Sequence, residues 1–317
     1  MLSALQSVFS VILMIGLGFF LAKRRWFEGS SSALISRLVV NVALPAYMIS
    51  NLMGGYDRAK LLDMLPGLPV PFLVMIVSYV AAMGLARLIR VQKDRRGAFQ
   101  SMFALSNSVF IGLPVNVLLF GDASLPYALL YYIANTTTFW TIGVYGIAVD
   151  GSIRKNGPRP SLVSLSGLRR ILSPPLLGFF AAVIMIMLGI RLPKSIMDTC
   201  RYLGSMTTPL SMLFIGIVIA RVEWKALRFE MDFLVILAGR FLVTPALMFF
   251  LVRGLDFPLL MKQVFLMQAA MPAMTQNPIL AEAYGADAEY TAIGTSLTTV
   301  LSMLSIPIYM TLVGVLF

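Results

Sequence analysis

The chain has 317 residues, 59% of them hydrophobic and only 12% charged, with a formal net charge of +11. A soluble globular chain is nearer half apolar and a quarter charged, so the excess apolar surface needs an apolar solvent, which a bilayer supplies. The absence of histidine removes His-based catalysis, His metal ligands and His proton relays, and the single cysteine, Cys200, leaves no intrachain disulfide.

Ten apolar segments are expected, at about 2–22, 31–53, 65–86, 98–120, 124–149, 171–190, 195–220, 231–252, 259–284 and 290–316. The first lacks the basic leading region and small-residue cleavage site of a secretory signal, and reads as a retained span. Arg37 and Asn41 to Pro45 fall in the second. The third opens on Pro66, Pro69 and Pro71, which suit a helix start. The fourth carries Asn107, Gly112, Pro114 and Asn116; the fifth carries a polar patch from Asn135 to Thr138. Pro174 and Pro175 open the sixth. The seventh holds Asp198, Arg201, Thr207, Thr208 and Pro209, and the eighth has Arg240 at its middle. The ninth reads Ala270-Met271-Pro272-Ala273-Met274-Thr275-Gln276-Asn277-Pro278, with Glu282 one turn on.

The loops set the orientation. Sixteen basic residues, among them Lys23, Arg24, Arg25, Arg87, Arg95, Arg96, Arg154 and Arg221, fall on one side, against six on the other. By the positive-inside rule the richer side is cytoplasmic and both termini face out. The same rule explains the basic balance without nucleic acid. The Gly-, Ser-, Pro- and Arg-rich stretch 151–170 reads as a cytoplasmic linker between two five-helix halves, 1–150 and 171–317. Five is odd, so the halves enter the membrane from opposite sides, as in inverted-repeat transporters. Pro45 and Pro209 are 164 residues apart, and so are Pro114 and Pro278, Gly121 and Gly285, and Arg37 and Arg201. Coincidence among 17 prolines and 24 glycines is the competing explanation.

Proline inside a span removes a backbone donor and frees the carbonyl one turn back. Irregular backbone at that depth survives only inside protein or beside a watery cavity. Two such breaks at matching positions, with Asn107, Asn116, Gln276 and Asn277 beside them, point to a binding site built from amides and half-helix ends. A simple packed kink is the plainer alternative. Asn41, Pro45 and Thr208 either face the same cavity or are hinges. Arg37 and Arg201 lie near segment ends and can snorkel, and Asp198 can pair with Arg201 at i,i+3. Arg240 is deeper, and either pairs with an acid or attracts an anion.

The runs Leu38 to Pro45, Asn107 to Gly121, Pro174-Pro175, Pro209 to Gly216 and Ala269 to Glu282 together resemble the auxin efflux carrier family. The resemblance covers essentially the whole chain. It implies an all-α membrane protein of ten transmembrane helices in two inverted five-helix repeats, similar to bile-acid symporters. It implies a scaffold of helices one, two, six and seven, and a transport domain in which helices four and nine cross at their prolines. Elevator-type alternating access and an organic anion substrate, such as malonate, malate or an auxin-like carboxylate, also follow from it. Sodium-coupled relatives of that fold carry a Glu and a Gln in helix nine before the crossing; residues 262–274 here offer Gln268 and no acid.

The reading is therefore a secondary transporter, not an enzyme, with neither metal nor cofactor. The expected substrate-binding residues are Asn107, Gly112, Pro114, Asn116, Gln276, Asn277, Pro278, Asn41, Pro45 and Thr208. Its expected partners are a small organic anion, membrane lipid and a second copy in a homodimer, in a bacterial inner membrane. A membrane sensor on a transporter fold, or a sodium-coupled symporter of another substrate, are the alternatives. The short cytoplasmic loops speak against the sensor.

Overall fold

The structure is a computed structural model that describes residues 2–27, 31–158, 160, 174–220 and 230–317. The expected linker from 161 onward, with Arg159, Arg169, Arg170, Arg221, Lys225 and Arg228, lies outside the described residues. Among the described residues the fold is helical, and its only strand-like pairing is one isolated antiparallel bridge, Ser106 with Ala273. Three helical stretches among the described residues are long and apolar enough to cross a membrane: Arg58–Leu88, Met231–Arg253 and Ala288–Leu316. Shorter apolar helices cover Leu13–Lys23, Val39–Gly55, Ser108–Phe120 and Pro174–Met187.

The chain divides into two compact units, and neither coincides with a sequence half. The first comprises residues 1–66, 109–129 and 172–222. It holds helices α1 (Leu2–Lys23), α2 (Ser31–Leu38), α3 (Leu44–Gly55), α4 (Arg58–Met64), α7 (Leu113–Phe120), α10 (Pro174–Met187), α11 (Lys194–Ser205) and α12 (Thr207–Ala220). Segments one, two, six and seven all fall here, together with the second half of the fourth. Inside this unit α1 packs on α12, and α10 and α11 pack on α3. A side chain at Gly178 would run into the backbone of Pro45, so glycine is what lets α10 close on α3.

The second unit comprises residues 67–108, 130–171 and 223–317. Its helices are α5 (Pro69–Leu88), α6 (Arg96–Ala104), most of α8 (Leu125–Thr138), α9 (Val144–Arg154), α13 (Met231–Ala238), α14 (Thr244–Arg253), α15 (Leu259–Ala269), α16 (Asn277–Tyr284) and α17 (Ala288–Leu316). Here α6 packs against α5 and α9, and α16 against α17. The backbones of α6 and α9 touch at Gly97 and Gly146, where a Cβ on either would clash.

Proline shapes the helices in a consistent way. π-Helical turns at Val39–Ala43, Ser108–Gly112 and Gly239–Val243 each end two residues before a proline: Pro45, Pro114 and Pro245. A proline cannot donate to the carbonyl four residues back, and its ring crowds it; a local π-turn spreads that backbone apart. At Pro245 the freed carbonyl is that of Phe241, and the Tyr309 hydroxyl donates to it. The fifth segment carries a π-turn without a proline, at Phe139–Gly143, just after its polar patch. Gly121 and Gly285 each end a short helix with left-handed φ, 72° and 75°. Those conformations give the sequence match at this pair a backbone reason.

Candidate functional site

The fourth and ninth segments are interrupted, and the interruptions meet within the second unit. α6 ends at Ala104, and residues 105–107 are not helical before the chain turns into Ser108–Gly112. α15 ends at Ala269, and helix resumes only at Asn277. The contact lies at Ser106 and Ala273, with Pro272 beside it, and not at Pro114 or Pro278. Pro278 falls at the start of α16, where a proline gives up an N–H that has no helical partner anyway. Pro114 follows the π-turn inside the continuous helical run Ser108–Phe120.

Backbone groups stranded at this depth must be satisfied internally, and most partners can be named. The Asn107 N–H donates to Pro272 O at 2.7 Å. The Asn135 amide grips Ser106 from both sides: Ser106 N–H donates to Oδ1 at 3.1 Å, and Nδ2 donates to Ser106 O at 2.7 Å. Asn135 Nδ2 also donates to Ser108 Oγ at 3.1 Å. The Ala273 N–H donates to Thr298 Oγ1 at 3.1 Å. The open carbonyl ends of both preceding half-helices converge on Arg240. Its Nη1 donates to Phe103 O at 3.3 Å and its Nη2 to Ala269 O at 2.7 Å. Arg240 is fully buried, and among the described residues no carboxylate pairs with it.

The ninth-segment break is less completely closed. Asn277 is buried; its Oδ1 accepts from Ser101 Oγ at 2.7 Å, while its Nδ2 has no partner among the described residues. Gln268 is buried as well; Nε2 donates to Ser108 O at 3.4 Å, and Oε1 has no partner among the described residues. Gln276 precedes α16, and no side chain caps that helix. Thr295 Oγ1, on α17, is another buried oxygen without a partner among the described residues.

The sequence-expected residues thus separate. Asn107, Gln276, Asn277 and Pro278 belong to the second unit and flank its two breaks. Asn41, Pro45, Gly112, Pro114, Asn116 and Thr208 belong to the first. There, Asn41 is exposed on its π-turn, Thr208 is half-buried, and Pro45 lies under Gly178. Asn116 is buried and donates through Nδ2 to Gly112 O of its own helix at 2.7 Å, leaving Oδ1 without a partner among the described residues. Sequence reasoning missed Ser101, Gln268 and Thr298 as parts of the crossing. Only the position of Gln268 in a broken apolar segment offered a signal. Arg201 pairs with Asp198 at 3.7 Å, the local alternative; Glu282 is exposed.

A separate charge cluster occupies the loop ends of this unit. Asp287 accepts from Arg95 at 2.8 Å and from Arg154 at 3.0 Å, and caps the Tyr290 N–H. Burial alone would raise its pKa; the Tyr290 N–H and the two arginines outweigh that and hold the carboxyl below its ordinary value. Asp150 has the opposite fate. Its carboxylate receives the Gly97 and Ala98 N–H groups at 2.9 and 2.8 Å. Burial still pushes it up to about 7, against those two bonds and Arg96, with Asp94 adding to the rise.

The sequence matches a family described as "Membrane transport protein" over residues 3–310. It is 26% identical over 312 residues to an "Uncharacterized transporter" of Methanocaldococcus jannaschii, covering 95% of this chain and 96% of that one. A second "Uncharacterized transporter", from Methanothermobacter thermautotrophicus, is 26% identical over 309 residues, with 96% of each chain covered. A "Putative malonate transporter" of Rhizobium meliloti is 25% identical over 206 residues, 64% of this chain and 62% of that one. With its interrupted helices and its match over nearly the whole length, the chain belongs to the membrane transport protein family, the auxin efflux carrier family of transporters.

Proposed function

We propose that the protein is a secondary transporter of small organic anions, with malonate-like dicarboxylates as the first candidates, working by elevator-type alternating access. The observation that carries this reading is the incompletely satisfied ninth-segment break. Asn277 Nδ2 is a buried donor without a partner among the described residues, beside an uncapped helix start. A buried polar group left unsatisfied costs about 1–3 kcal/mol. A carboxylate accepting from Asn277 removes that cost and meets the positive end of α16. Asn107, Gln276 and Pro278 are the neighbouring residues assigned to the same task. For Asn41, Pro45, Gly112, Pro114, Asn116 and Thr208, the assignment rests on the sequence pattern alone.

Malonate and the broader class follow from the family resemblance, and the Rhizobium relative is named as a "Putative malonate transporter". Ten spans in two inverted halves, both termini outside a bacterial inner membrane, and a homodimer complete the proposal. The loop charges support the orientation. The test is uptake of labelled malonate, malate and indole acetate into proteoliposomes. Saturable malonate uptake, competed by malate, is expected. Folded protein that takes up and binds no carboxylate overturns the reading.

A further inference from the structure

Among the described residues, Arg240 is the largest fully buried side chain. A buried guanidinium without a counter-ion is expensive, and a residue of this kind inside a membrane segment calls for a reason. The immediate one is geometric. Arg240 reaches Phe103 O near the end of α6 and Ala269 O at the end of α15. Each half-helix ends in a partial negative charge, which favours a cation placed there. Arg240 Nε lacks a hydrogen-bond partner among the described residues, so the local carbonyls do not use up the guanidinium.

We propose that Arg240 is the fixed positive charge of the transport site, a positioning residue that holds the two half-helix ends together and makes the crossing select dianions over monoanions. The inference rests on the anion reading above. Arg240 does not touch substrate in it; the charge acts through the low-dielectric surroundings, where Coulomb interactions are far stronger than in water.

The experiment titrates malonate, its monoamide and the neutral diamide against purified wild-type protein, R240Q and R240K, reading affinity and melting midpoint together. Wild type is expected to prefer malonate to the monoamide. R240Q is expected to lose about tenfold or more of that preference, because the field acts twice on a dianion. R240K keeps the charge and loses the planar fork; it is expected to melt lower and to hold the preference within about threefold. If R240Q does not fold, R240K alone decides: loss of the preference in folded R240K overturns the inference. So does folded R240Q whose affinities for malonate and monoamide fall in equal proportion, which is what a merely structural role gives. Wild-type protein that binds no acid overturns the anion reading itself, and the inference with it. Binding by wild type with an unchanged preference in R240Q overturns the inference alone.

Discussion

The two breaks of the second unit differ in how well they are sealed. In the fourth segment the interruption spans only residues 105–107, and Asn135 satisfies both backbone groups of Ser106 while also reaching Ser108. In the ninth, residues 270–276 are out of helix, Thr298 takes one N–H, and Asn277 Nδ2 and Gln268 Oε1 are left over. A sealed break is a mechanical joint. An open one has polar capacity to spare for a ligand. Under the proposed function, the first break anchors and the second recognises.

The comparison is broken most forcefully at Asn135. Replacement by Ala removes four buried hydrogen bonds, one of them to the Met274 sulfur, and strands both Ser106 groups. The expected loss is about 3 kcal/mol or more. That corresponds to a fall in melting midpoint of roughly 6–12 °C. A midpoint within a degree or two of wild type shows that the fourth break is not held this way.

A weaker handle lies at the start of α6, whose far end leads into the fourth break. Asp150 has a folded pKa of about 7, above the unfolded value near 4. The folded state thus binds the proton more tightly, and this group's contribution is fully present below about pH 4 and lost as pH rises through 7. Melting of wild type is expected to fall between pH 6 and 8 more steeply than that of D150N. Asp287 does not confuse this window. Its folded pKa is depressed, so its contribution is present above the unfolded value and lost only as pH falls through its lower folded value. Equal slopes in both proteins contradict the assignment.

The smallest effect is expected at Asn116. Asn116 Nδ2 donates to Gly112 O of its own helix, so N116A should cost about 1 kcal/mol of stability or less. Its malonate affinity is expected to change less than that of N277A. A larger loss in N116A moves recognition toward the fourth segment.

Much of this was legible from local pattern. Proline and amides in the middle of an apolar run mark a break, and the Asp198–Arg201 spacing marks an ion pair, because helix geometry fixes both. The position of the crossing was not legible. A proline fits a helix start or a π-turn as readily as a crossing: Pro278 marks where a helix resumes, Pro114 follows a π-turn, and of these prolines Pro272 lies where the backbones meet. Nor could sequence give Asn135 to Ser106, Arg240 to Phe103, or Asp150 to Gly97. These pairs are separated by 29, 137 and 53 residues and exist only through packing. The same holds for Gln268, whose role depends on an orphaned oxygen.

The most direct test of the open break is malonate affinity in N277A, with S101A as its control. S101A removes the Ser101–Asn277 hydrogen bond and leaves the amide in place. The account predicts at least about a tenfold loss of affinity in N277A, roughly the worth of one hydrogen bond to a charged group. It predicts little loss in S101A, and similar melting midpoints in the two. Unchanged affinity in N277A, or an equal loss in S101A, would contradict it.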